Sequence, residues 1–164
     1  METITIQVIQ EDVYKEVAKA TDYTGSKMIE DDAGARDRIL AADDDLAELG
    51  RFWDESVLAV NENFKEMLVT GTTQQIKTTS AERIGYEAVI EVSKSFDKTL
   101  TASVQSTLRS FFIASIIGQW FKFANKGEAK DYFLQASDMM DTAERLLYSR
   151  KKPIPPSINN HIEY

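Results

Sequence analysis

KTLTASVQSTLRSFFIASIIGQWFKFAN, residues 98–125, is the stretch on which the reading of this chain turns. Leu100, Val104, Leu108, Phe111, Phe112, Ile116, Trp120 and Phe123 recur at steps of three and four, the period of an α-helix. Ile113, Ile117 and Phe121 fill the neighbouring stripe. Past Leu108 the helix is therefore apolar around most of its circumference, the mark of a helix covered on several sides. At 1.5 Å per residue it spans roughly 40 Å. Its densest run, Leu108 to Phe123, contains Arg109, Ser110, Ser115, Gly118 and Gln119. A membrane crossing takes about 20 predominantly apolar residues, so the stretch reads as a core or interface helix.

Two strongly patterned helices are expected to pack on it. Asp43-Asp44-Asp45 precedes Leu46, Leu49, Trp53, Val57, Val60, Phe64 and Met67 or Leu68, an amphipathic helix of about 25 residues. Asp45 and Glu48 have the spacing of a capping box, and carboxylates suit a helix N-terminus. Neighbouring aspartates on a helix do not converge on a cation as an alternating calcium loop does. On the other side, Asn125-Lys126-Gly127 breaks the chain. Ala129, Tyr132, Phe133, Ala136, Met140, Ala143, Leu146 and Leu147 then define a helix over 128–149. So short a break predicts an antiparallel hairpin.

Strands are expected where the period drops to two. Ile4, Ile6 and Val8 alternate with Thr3, Thr5 and Gln7. Residues 72–79 are threonine-rich, and Tyr86, Ala88, Ile90 and Val92 alternate over 84–93. These two segments read as a hairpin, joined by the N-terminal strand, since three strands are stable where two rarely are. Asp12 is expected to cap a short helix over 12–21, with Val13, Val17 and Ala18 inward and Tyr23-Thr24-Gly25 ending it. A second short helix is read over 32–40. Asp97 is the expected cap of the long helix. The fold class is mainly α (α+β): an antiparallel helical bundle around a long central helix, with a small β element.

Residues 1–152 read as one domain, in keeping with 164 residues of which 43% are hydrophobic. Pro153, Pro155 and Pro156 then stop helix and disfavour sheet, so residues 153–164 form an extended arm of about 35–40 Å at full stretch. The arm carries Ile154, Ile158, Ile162 and Tyr164, and a solvated tail has little use for them. These residues, with the prolines, are the candidate oligomer or partner contacts. Arg150, Lys151 and Lys152 suit the negative end of the preceding helix, or an anionic partner.

There is no cysteine, which removes disulfides, thiolate catalysis and Cys-based metal sites. The single histidine, His161, lies in the arm, so Ser-His-Asp and multi-His arrangements lack their parts. The seven glycines are scattered and form no phosphate loop. On the enzymatic side this leaves only chemistry resting on carboxylates, and no catalytic, cofactor or metal residue is singled out. Trp53 and Trp120 read as core or interface anchors. The N-terminus has no secretory pattern, which predicts synthesis in a cytoplasm. The net charge of −8 disfavours nucleic acid. It is unevenly spread: residues 1–70 carry 7 basic and 17 acidic side chains, residues 71–164 carry 12 and 10. Such asymmetry suits head-to-tail packing of identical subunits.

One resemblance joins these features. The motifs are Ile-Gly-Gln-Trp-Phe (117–121), Gly-Glu-Ala-Lys-Asp-Tyr (127–132) and Leu-Leu-Tyr-Ser-Arg-Lys-Lys-Pro-Ile-Pro-Pro (146–156), with Glu-Asp-Val-Tyr-Lys-Glu-Val-Ala-Lys (11–19) and Arg-Phe-Trp (51–53) before them. The pattern resembles uncharacterised structural proteins of Bacteroides-type tailed phages and prophages. In size and helical make-up it is similar to head–tail connector (adaptor, or ring) proteins. The resemblance implies a virion protein at the head–tail junction, made in the host cytoplasm. It would form a ring, dodecameric by analogy, beside the portal and other neck or tail proteins. Its arm would clasp a neighbour, and DNA would only pass through the lumen. The matching residues are packing and tail residues and carry no mechanism.

Overall fold

A computed structural model describes residues 1–27 and 45–156. They form a mixed α+β fold. Strand β1 (Glu2–Ile9) leads directly into α1 (Gln10–Lys27); α2 (Leu46–Asn63) is followed by β2 (Leu68–Lys77) and β3 (Glu82–Val92). A 3-10 turn (Lys98–Leu100) opens α3 (Thr101–Ala124), and α4 (Lys126–Leu147) closes the order. The expected helix over 32–40 lies outside the described residues.

The strands form one antiparallel sheet in the order β1-β3-β2, with Ile4 opposite Ile90, Ile6 opposite Ala88 and Val8 opposite Tyr86. All six side chains are buried, as the period-two pattern requires. The other face is polar. There Glu87 accepts from Gln7 Nε2 at 2.7 Å and from Gln74 Nε2 at 2.6 Å, tying all three strands together.

Helix α3 packs along α4 and also touches α1, α2 and β1. Val104, Leu108, Phe112, Ile116, Ile117 and Phe121 are all buried along it. By length and apolar composition alone, residues 98–123 would pass for a membrane span. A core helix of this composition is expected wherever neighbours cover several of its sides. Trp53 of α2 lies against Phe112 with ring centroids 4.6 Å apart, and Tyr14 meets its edge at 6.2 Å. The indole Nε1 donates to Thr73 Oγ1 at 2.9 Å, so this large buried ring leaves no polar atom unmet. Nearby the buried hydroxyls of Ser56 and Ser115 are hydrogen-bonded at 3.0 Å, where α2 and α3 meet through small side chains.

The α3/α4 hairpin is antiparallel, because the end of α4 returns to the start of α3. Asp97 N donates to Ser149 O at 3.4 Å and Lys151 N to Ser95 O at 2.8 Å. Asn125 alone, with φ −157° and ψ 90°, breaks the helix. Gly118 makes the close approach: a Cβ there would stand 2.9 Å from two carbons of the Phe133 ring.

Several expectations need correction. Helix α1 does not stop at Gly25 or begin at Asp12; it runs 18 residues from Gln10. Thr21 is buried and bonds to Val17 O at 2.9 Å, so the helix's own carbonyls satisfy a residue that would favour a turn in solution. Asp12 instead pairs with Arg83 of β3 at 2.5 Å. Helix α2 is 18 residues long, and Leu68 already belongs to β2. No capping box forms: the Asp45 side chain makes no capping hydrogen bond, and Glu48 is held by Arg51 at 2.7 Å. Leu46, expected inward, is exposed, and Phe52, outside the expected stripe, is buried. Asp97 does cap, but caps the 3-10 turn, accepting from Thr99 N at 3.1 Å and Thr99 Oγ1 at 2.7 Å. Those two bonds hold its carboxyl below the usual range, with Lys151 a smaller contributor. Phe123, expected inward, is 75% exposed. Phe121 takes the inward place against Tyr132 at 5.6 Å, and two residues further on a helix has turned about 200°.

Candidate interaction surface

Three parts of the described surface stand out by exposure or by shape. The first is the chain's exit from the body. Helix α4 ends at Leu147, two residues before the expected end, so Arg150, Lys151 and Lys152 lie beyond its last turn. Arg145 is the base in that turn. A helix dipole acts within about one turn, so it does not explain the basic run. The run is held by its backbone instead, Arg150 bridging to Phe96 and Lys151 bonding to Ser95. All three basic side chains point to solvent. Lys98 pairs with Glu2 at 2.9 Å beside them. That bond holds Glu2 below the usual carboxylate range, with Lys151 adding a weaker pull. From here Pro153, Ile154, Pro155 and Pro156 run without regular structure and fully in solvent; Ile154 is 92% exposed. Ile158, Ile162 and Tyr164 lie outside the described residues, as does His161.

The second part is the tip of the α3/α4 hairpin. Phe123, Phe133 and Leu134 are exposed there. Beside them a hollow of about 500 Å³ is lined by Lys122, Lys126, Ala129, Lys130, Phe133 and Leu134. Sequence patterning missed this surface because Phe123 and Phe133 fit the inward stripes. The signal that was present is the recurrence of lysine at 122, 126 and 130, four residues apart across the break.

The third is a cavity of about 540 Å³ between α1, the start of α2 and β3. Arg83 reaches across its wall to Asp12 at 2.5 Å and Glu11 at 3.3 Å. This clamps α1 to the sheet and leaves the guanidinium committed. The Tyr14 hydroxyl is buried without a hydrogen-bond partner among the described residues. Desolvation, aided by Asp54, pushes it up to about 12. Among the described residues that line it, no hydroxyl nucleophile is hydrogen-bonded to a base. Among the described residues no three His, Asp or Glu side chains gather as a metal site would require.

Comparison with protein-family models, with curated proteins and with solved structures gives no match to this chain.

Proposed function

We propose that the protein is a structural subunit of a tailed-phage virion, a head–tail connector (adaptor) that assembles with its own copies into a ring at the portal–tail junction. In this reading the helices form a bundle organised around α3. The arm fastens one subunit to the next, portal and neck or tail proteins are its further partners, DNA only passes through the lumen, and no substrate is transformed. The observation that carries the reading is the exit at Pro153–Pro156. A proline-stiffened segment leaves the body in solvent and holds Ile154 exposed, away from the apolar core of the described residues. A partner covering Ile154 would remove that apolar side chain from water, and the prolines already hold the segment extended for it. The acidic first half of the chain against its near-neutral remainder adds a second, independent support. The resemblance of residues 117–121, 127–132 and 146–156 supplies the virion context. The alternative is another neck, tail or baseplate component, or a non-viral oligomeric module, to which the same arm applies.

Native mass spectrometry and negative-stain imaging of the purified chain, alone and with portal, test the proposal. Closed rings are expected in one or both samples. A monomer in both would overturn it.

A further inference from the structure

Lys122, Lys126 and Lys130 ring the apolar hollow at the hairpin tip, and none of them forms an ion pair among the described residues. Glu128 and Asp131 belong to the same end of α4, but at 100° per residue they fall on its other side. The tip is thus an apolar seat with a cationic rim. Helix α2 presents the converse. Its outer stripe places Leu58, 69% exposed, beside Asp54, Glu55 and Glu62 at the i−4, i−3 and i+4 positions. Glu62 is engaged by Lys65 at 2.7 Å, while Asp54 and Glu55 form no ion pair among the described residues. Within one subunit Glu55 and Lys122 line a common cleft, yet they do not pair. Both charges stay open to a neighbour.

We infer that the tip of one subunit seats on the Leu58 face of α2 in the next, head to tail, with Lys126 and Lys130 opposite Asp54 and Glu55. The inference rests on the self-assembly proposed above. A second copy is the occupant because both halves of the match, an apolar knob among carboxylates and an apolar seat among ammonium groups, are carried by this one chain. Where the contact is made once between two copies, not reciprocally, it propagates and closes into a ring when the rotation allows. Its charged rim makes association fall as salt rises.

Charge reversal in the full-length chain provides the test, with sedimentation velocity as the readout. Lys126→Glu/Lys130→Glu and Asp54→Lys/Glu55→Lys should each weaken association at least about tenfold, at unchanged helical circular dichroism. Mixing the two variants should restore assembly, since each reversed surface then meets its complement. Raising salt from low to molar concentration should dissociate the wild type. If the wild type assembles and both variants assemble equally well, this contact is wrong and self-assembly stands. If the wild type stays monomeric with and without portal, self-assembly itself fails. A wild type that stops at a closed dimer, or a monomer whose tip lysines drive binding to phosphatidylserine vesicles, also overturns the inference.

Discussion

The Tyr86 hydroxyl donates to Asn61 Oδ1 at 2.7 Å, and Asn61 Nδ2 donates in turn to Gly71 O at 2.9 Å. One amide thereby joins the end of α2 to both strands of the hairpin. Tyr86 is buried, and burial raises its hydroxyl well above the ordinary value. Tyr86→Phe should cost about 1–3 kcal/mol, because it leaves Asn61 with an unmet acceptor. Gly71→Ala should cost a similar amount, since the new Cβ would press on the Asn61 side chain and the Tyr86 hydroxyl. Urea unfolding of the two variants and of the double mutant checks this. Non-additive losses are expected if one network is being broken twice.

Tyr14 predicts the opposite sign. Its hydroxyl is buried without a partner among the described residues, so Tyr14→Phe should be neutral or stabilising by up to about 1 kcal/mol. A loss above that would show a bond to the hydroxyl in solution. The measurement is again urea unfolding, run beside Tyr86→Phe as the control.

The same two tyrosines set an alkaline limit. A folded-state value raised above the unfolded one contributes stability that is complete below the unfolded value and fades as pH rises through the folded one. For Tyr14 that window runs from 10.0 to about 12. Stability should therefore fall across it, and less steeply in Tyr14→Phe. Tyr14 and Tyr86 should each ionise above the ordinary tyrosine value when absorbance near 295 nm is followed against pH.

Gly118 and Phe133 make a coupled pair. In the wild type, Gly118→Ala gains helix propensity but crowds the Phe133 ring at 2.9 Å. The two effects oppose, and the ring can swing outward. Once Phe133→Ala has removed the ring, Gly118→Ala should stabilise by about 0.5–1 kcal/mol. Gly118→Leu should destabilise by roughly 1–3 kcal/mol through overpacking. Thermal melts of the wild type and the four variants decide it.

The arm offers a prediction tied to the proposed assembly. Deleting residues 153–164 should leave the monomer folded, with helical circular dichroism unchanged, because Pro153–Pro156 are exposed. Assembly should weaken by at least about tenfold, roughly 1.4 kcal/mol per interface. A truncated chain that assembles like the full one would remove the arm from the contact.

Periodicity made most of the fold legible. Ile4, Ile6 and Val8, then Tyr86, Ala88, Ile90 and Val92, fell on the buried face they were read onto, because a strand's side chains have no freedom but to alternate. The hairpin of α3 and α4 followed from the break at Asn125. What escaped was set by tertiary context. Gly25 does not end α1, whose buried Thr21 turns its hydroxyl back to the backbone. Asp45 and Glu48 have capping-box spacing, yet Glu48 has a nearer partner in Arg51. Phe123 and Phe133 fit a core stripe by spacing, but spacing does not say where the covering neighbour stops. The surface on which the proposed assembly rests was half legible for that reason. The arm announced itself through its prolines, while the hairpin tip needed the positions of two helices at once.

The strand order carries a consequence for how the molecule comes into being. Glu2 pairs with Val92, so β1 must wait for β3, about 90 residues later, to be made. At roughly 5–20 residues per second, that wait is of order 5–20 s, with an apolar ribbon unsheltered throughout. Pairing partners so distant along the chain also slow folding. The subunit is accordingly indivisible: no N-terminal fragment ending before β3 can close its sheet, and a nascent chain stalled there becomes prey for chaperones and proteases.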